Sequence, residues 1–175
     1  MIETARLVAE PIGPAHQAEL EAMLGDPRVG ATLGGVLSPA RVAAQIEHLA
    51  AHFDRYGFGL WCWREKASGD LVARGGIEHA HVGGRDEVEV AWAVVADRWG
   101  EGFATELGAA SVRTAFDDHG LDDLVSFTLP DNLASRRVME KLGFTYERDV
   151  VHADLPHVLY RLRRQARPGT AMPDS

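Results

Sequence analysis

The sequence predicts an α+β fold, a mostly antiparallel central sheet flanked by helices. Three observations carry this. Residues 60–64, 71–77 and 87–96 are apolar, β-branched and aromatic runs, and two turn sequences separate them, Lys66-Ala67-Ser68-Gly69-Asp70 and Val82-Gly83-Gly84-Arg85-Asp86. Such a series reads as three antiparallel strands in succession. Behind the cap pair Ser38-Pro39, Val42, Ile46, Leu49 and Phe53 recur at spacings of three and four, the apolar face of a helix. Finally, the last of the three strands breaks at Gly100 and Gly102 and passes directly into a helical composition.

The remaining elements follow in order. Residues 6–12 read as a first strand. Pro14 opens a helix with apolar contacts at Ala18, Leu20, Met23 and Leu24, which Gly25-Asp26-Pro27 ends. Residues 29–37 read as a glycine-rich loop and 55–59 as a break after the second helix. The helix beyond the glycines is expected to reach about Phe116 and stop near His119-Gly120. Residues 124–129 form a short strand, and Asp131 or Asn132 caps a helix through Lys141, with Gly143 at its left-handed end. Two closing strands occupy 144–151 and 157–162. At 175 residues the chain suits one well-buried domain, read as 1–164, with a disordered tail at 165–175.

Composition narrows the function classes. No run approaches the ~18 apolar residues of a membrane span, and the first residues lack the basic start and apolar core of a signal peptide. The single cysteine, Cys62, lies between Trp61 and Trp63 and reads as a buried structural thiol. A cytoplasmic setting, with no membrane partner, is the expectation. The net charge of −8 without a basic stripe argues against nucleic acid and favours a cationic acceptor.

Residues 89–105 hold the main functional signal. Strand, glycine loop and helix suit an anion, because side-chain-free positions let the backbone approach while the first helical amides point outward. The stretch is not a Walker loop, since no Gly-Lys-Ser/Thr follows, nor the dinucleotide Gly-x-Gly-x-x-Gly, since Thr105 takes the last position. A second segment, Pro130-Asp131-Asn132-Leu133-Ala134-Ser135-Arg136-Arg137 through Gly143-Phe144, follows a strand. Together the two segments resemble the GNAT acyltransferases. Trp99-Gly100-Glu101-Gly102-Phe103-Ala104-Thr105-Glu106 with Asn132-x-x-Ser135 resembles the branch holding the ribosomal-protein N-terminal (RimJ/RimL-like) acetyltransferases. The resemblance extends from Glu3 to about Leu162.

That resemblance implies two neighbouring strands, at Glu89 and Leu124, that splay apart and admit acetyl-CoA. It places the pyrophosphate on the amides of Gly100, Gly102, Phe103, Ala104 and Thr105, with added charge from Arg98. Backbone groups around Val94 would pair with the pantetheine arm, Asn132 would hydrogen-bond it, and Arg137 would reach a phosphate or lie solvated on its helix. Trp99 stands where many relatives carry Gln or Arg.

For the acceptor amine, a lysine-type ammonium is neutral only ~0.04% of the time at pH 7 and an α-amine roughly 14%, so a general base helps. Glu89 is the first candidate; alternation puts Glu87 on its face, and Glu78 is the reserve. Strand-end carboxylates facing solvent are the bland alternative. For the leaving thiolate, the family's usual tyrosine position is Met139 here, and Ser135 takes the role of general acid unless it bonds to its own backbone. His79 and His81 share a strand face but lack a third ligand, so no metal is expected. Trp61, Trp63 and Trp92 read as core, and Asp117-Asp118 and Asp122-Asp123 as an acidic rim.

The expected function is therefore an acetyl-CoA-dependent N-acetyltransferase acting by direct attack of a primary amine, from a protein N-terminus or a small molecule. A homodimer is left open. The alternative is a non-catalytic acyl-CoA-binding or protein-interaction module on the same fold, which the missing tyrosine keeps open.

Overall fold

The computed structural model describes residues 2–165. The expected tail, apart from Gln165, lies outside the described residues. Eight strands form one sheet in the order β1-β2-β3-β4-β5-β6-β8-β7. They are β1 (Ile2–Glu3), β2 (Leu7–Pro11), β3 (Leu60–Glu65), β4 (Leu71–Val82), β5 (Arg85–Val94), β6 (Asp123–Thr128), β7 (Thr145–His152) and β8 (Leu155–Arg163). Every neighbouring pair is antiparallel except β5 and β6, which run parallel. The hairpin turns after β3 and β4 lie where the glycine-containing turn sequences placed them, and β4 runs five residues beyond its expected end at Ile77.

Alternation along the strands sends side chains to the two faces of the sheet. On β3, Leu60 and Cys62 face one side while Trp61 and Trp63 face the other. The first side is covered by α1 (Gln17–Leu24), α2 (Pro27–Leu33) and α3 (Pro39–Tyr56), through Leu20, Leu24, Val29, Val42 and Ile46. The second is covered by α4 (Phe103–Arg113), through Phe103 and Leu107, and by Met139 of α5 (Leu133–Lys141). The Trp63 indole is satisfied by the Gly75 carbonyl at 3.0 Å. Fully buried Cys62 has its thiol pushed up to about 12 by loss of water, so it stays protonated and inert. No helix among the described residues is long and apolar enough to cross a membrane.

One element differs in kind from the expectation. Residues 29–37 are not all loop, because α2 occupies Pro27–Leu33. Asp26 caps it by accepting from the Arg28 amide at 2.8 Å, and Pro27 presets the first turn. Gly30 sits inside this helix for another reason: a Cβ there would meet Val36 Cγ1 at 2.7 Å, so glycine lets the following loop fold back onto the helix. Beyond α4, a π-type turn over Thr114–Asp118 brings the chain to β6.

Two features of the sheet position the site. β5 and β6 share a single register pair, Glu89 with Val125, and part beyond it. At the joined end, buried Arg161 of β8 reaches across β6 to Glu87 of β5 at 2.8 Å, while also holding Asp123 of β6 at 2.8 Å and Glu147 of β7. Glu87 thus shares the face of Glu89, as alternation requires, but its carboxylate is committed to this ion-pair cluster.

Candidate active site

The parting of β5 and β6 opens a cleft of about 650 Å³. One end is built from backbone. Gly100 and Gly102 both have left-handed φ, +82° and +83°, which a side chain would strain. Gly102 is the N-cap of α4 and offers no side chain to its amides; the first amide to close a helical bond is Glu106, on the Gly102 carbonyl at 3.1 Å. The N–H groups of Phe103, Ala104 and Thr105 are therefore open, and all three residues line the cleft.

The loop is held from outside by two arginines. Arg6 donates to the Glu101 carbonyl at 2.9 Å and pairs with Glu106 at 2.7 Å. Arg98 holds the Glu101 carboxylate at 2.9 Å and Glu65 at 2.9 Å. Both guanidiniums lie over the buried Phe103 ring, 4.4 and 4.9 Å from its centre. Arg98 lines the cleft, but its charge is met by two carboxylates, so it braces the loop rather than supplying free charge. The Val94 carbonyl accepts from the Trp99 indole at 2.9 Å, which leaves its second lone pair open.

The opposite wall is β6 and α5. Asn132 caps α5, accepting from the Ser135 amide at 3.2 Å and donating to Thr128 Oγ1 at 3.0 Å. Ser135 lines the cleft, and among the described residues its hydroxyl has no intramolecular partner, so the bond to its own backbone is not made. Met139 is wholly buried in the core, facing away from the cleft. Exposed Arg137 lines the wall with Lys141 one turn on. These two cations and the open α4 amides fit the phosphates of acetyl-CoA.

The deep end is built from side chains. Glu89 stands directly opposite Glu78 on β4, and both line the cleft. Burial, then the neighbouring Glu78 charge, pushes the Glu89 carboxyl well above the ordinary carboxylate range, and Arg74 only partly offsets this. Burial also raises Glu78, against the pull of Arg74 and His48. Both carboxylates are half-buried in the cleft rather than fully exposed at a strand end. Like charges facing across a strand pair repel, so the pair favours holding a proton.

Several residues of this end went unread in the sequence. Arg74 lies on the same β4 face, with its guanidinium on Gln45 of α3 at 2.9 Å. Phe127, His152 and His157 form a ring cluster on the far side, with centroids 4.9 to 5.6 Å apart. Burial and then His157 push His152 below the usual imidazole value, leaving it neutral at physiological pH. A charged residue inside the apolar run 71–77 was the available signal for Arg74, and the i, i+4 spacing from Arg137 the signal for Lys141. The histidines gave none. His79, by contrast, packs against His52, Tyr56 and Phe58, and His81 pairs with Asp86 at 2.7 Å. Among the described residues no three His, Cys, Asp or Glu side chains gather as a metal site.

The chain is similar to known proteins in sequence and in fold. The acetyltransferase (GNAT) domain profile matches residues 6–145. The chain is similar to YkkB of Bacillus subtilis (strain 168), 25% identical over 145 residues, covering 82% of this chain and 84% of YkkB. It is also similar to the FsC-acetyl coenzyme A-N(2)-transacetylase of Aspergillus fumigatus, 28% identical over 158 residues, covering 83% of this chain and 65% of that protein. Among solved structures, a GNAT-family acetyltransferase from Bordetella pertussis superposes with a TM-score of 0.80 at 26% identity, covering 91% of this chain and 97% of that one.

Proposed function

The chain belongs to the GNAT acetyltransferase family, an acetyl-CoA-dependent N-acetyltransferase, and from that premise we propose that it acetylates a primary amine at the parting of β5 and β6, with Glu89 as general base. The observation that supports this is the pairing of two unlike ends in one cleft: open α4 amides at one, a half-buried, proton-seeking carboxylate at the other.

Acetyl-CoA, when bound, supplies the activated acyl group. The amides of Phe103, Ala104 and Thr105, with Arg137 and Lys141, hold its phosphates; Asn132 and the free edge of β5 near Val94 line its arm. Glu89 takes the proton from the acceptor ammonium at its carboxylate, directly or through water. Its raised pKa brings it closer to the working pH and makes it a stronger base than an exposed glutamate. The Ser135 hydroxyl, free of intramolecular partners, offers a proton on the α5 side. Holding both reactants in one cleft supplies much of the rate. The acceptor is a small amine or a protein N-terminus, and a cytoplasmic setting agrees with the single, unpaired thiol.

Calorimetric titration with acetyl-CoA, followed by thiol release in the presence of amines, tests this. Saturable binding and amine-dependent release are expected. Absence of binding at millimolar acetyl-CoA would overturn the reading.

A further inference from the structure

Arg74 differs from three other arginines that the fold draws inward. Arg64 pairs with Glu10 and Glu19, Arg98 with Glu65 and Glu101, and Arg161 with Glu87, Asp123 and Glu147. With 26 acidic residues against 18 basic ones, a carboxylate partner is easy to find. Yet among the described residues no carboxylate lies within 4.0 Å of the Arg74 guanidinium. Of its five N–H donors, Nη1 is engaged by Gln45 Oε1 at 2.9 Å, and the side chain lines the cleft. Burial works against its charge, but a guanidinium does not give up its proton at any working pH. Glu78 and Glu89 act on its charge from beyond that distance without pairing with it directly, so among the described residues the guanidinium keeps donors for a further anion.

Its position relative to the carboxylates is informative. Arg74 and Glu78 are four residues apart on β4 and so share a face, and their register partners on β5 are Ala93 and Glu89. Between the two pairs on β5 stands Ala91, a small residue that also lines the cleft. The floor of the deep end therefore presents, along one strand face, a cation, the small Ala91 and a pair of carboxylates.

We infer that Arg74, oriented by Gln45, receives a carboxylate of the acceptor, which makes the acceptor a small amine bearing its own carboxylate: an amino acid or close analogue. This rests on the transfer reading above. The planar guanidinium fork matches a carboxylate with two parallel hydrogen bonds, while Glu78 and Glu89 meet the ammonium. A polyamine or amino sugar would suit the carboxylates but bring like charge, or no anion, to Arg74.

The test uses matched acceptors in a thiol-release assay of the purified protein with acetyl-CoA: free amino acids, their amides, and the corresponding amines without the carboxylate, with aminophosphonates as a further arm. The amide has the more readily deprotonated amine, so chemistry alone favours it, and a preference for the acid must come from recognition. We expect kcat/KM about 10- to 100-fold higher for the acid than the amide. In Arg74→Gln that ratio falls toward one, chiefly through the KM of the acid; in Gln45→Leu it falls part of the way. Both members of a pair meet the same Glu78 and Glu89, so any change Arg74→Gln makes to those carboxylates cancels in the ratio. Amides or simple amines used as well as acids by the unaltered protein, or a ratio untouched by Arg74→Gln, would overturn the inference and leave the transfer reading standing. Preference for aminophosphonates would replace carboxylate by phosphonate and overturn the amino-acid assignment. Acetyl-CoA binding with no release for any amine would count against the transfer reading itself.

Discussion

The two ends of the cleft are made of different material. At the α4 end the groups that matter are backbone amides and two left-handed glycines, and the nearby arginines are neutralised by Glu65, Glu101 and Glu106. At the deep end they are side chains, Arg74, Glu78 and Glu89, which act on one another's charges with no direct ion pair to Arg74 among the described residues. A backbone site binds what all members of a reaction class share and tolerates change around it. A side-chain site selects, and each of its charges counts.

The sharpest way to break this contrast is Glu89→Gln, which keeps the shape and removes the base. A loss of about 10²- to 10⁴-fold in kcat/KM is expected, with acetyl-CoA binding retained by calorimetry. The same change has a second expected effect. A carboxyl raised above its unfolded value contributes stability below the unfolded pKa and loses it as pH rises through the folded value. Glutamine carries no such penalty, so the variant should melt higher than the parent at pH 8 and not at pH 4. Activity lost without that gain would place Glu89 in a less buried state.

At the backbone end, Gly102→Val forces a β-branched residue to φ +83°, and acetyl-CoA binding should weaken about 10- to 100-fold. Unchanged affinity would mean that the loop does not hold the cofactor. Ser135→Ala should lower kcat by about tenfold, with little change in the KM for acetyl-CoA; an equal loss in both would mark Ser135 as a binding group. The smallest effect sharpens the comparison most. Glu78→Gln removes the like charge that helps raise Glu89, so the acid limb of kcat/KM, which rises with pH as Glu89 ionises, should move to lower pH by less than about one unit. A limb that stays in place would remove Glu78 from the pair.

The same contrast explains what could be read in the sequence. The α4 end lies within a few consecutive residues, and glycine positions carry their geometry in their identity, so Gly100, Gly102 and the helix behind them were visible. So was Glu89, because a carboxylate entering an apolar strand is anomalous locally. Asn132 was recognisable as a cap because its role is satisfied three residues on, at the Ser135 amide. The deep end is gathered from α3, β4, β5, β6, β7 and β8, and nothing in the run around His152 or His157 says that Phe127 lies beside them. The missed α2 has the same origin: Gly30 reads as a breaker until Val36 is seen packed against it. The engagement of Arg98 with Glu65 and of Glu87 with Arg161 likewise depends on separations of 33 and 74 residues.

The single register pair between β5 and β6 has a consequence for how the molecule could be divided and inherited. Everything from β1 to α4 lies within residues 2–113, and everything from β6 to β8 within 123–163. The sheet is thus two contiguous lengths of chain set edge to edge, joined by one backbone register pair, the Arg161 cluster and apolar side chains that both lengths contribute to a shared core. The first length carries the glycine loop and Glu89; the second carries Phe127, His152 and His157, and with them Asn132, Ser135, Arg137 and Lys141. Substitutions at Phe127, His152 and His157 can therefore be acquired in the last third of the chain without altering the residues of the glycine loop, whereas exchange of the whole length would replace the α5 side of the cleft as well.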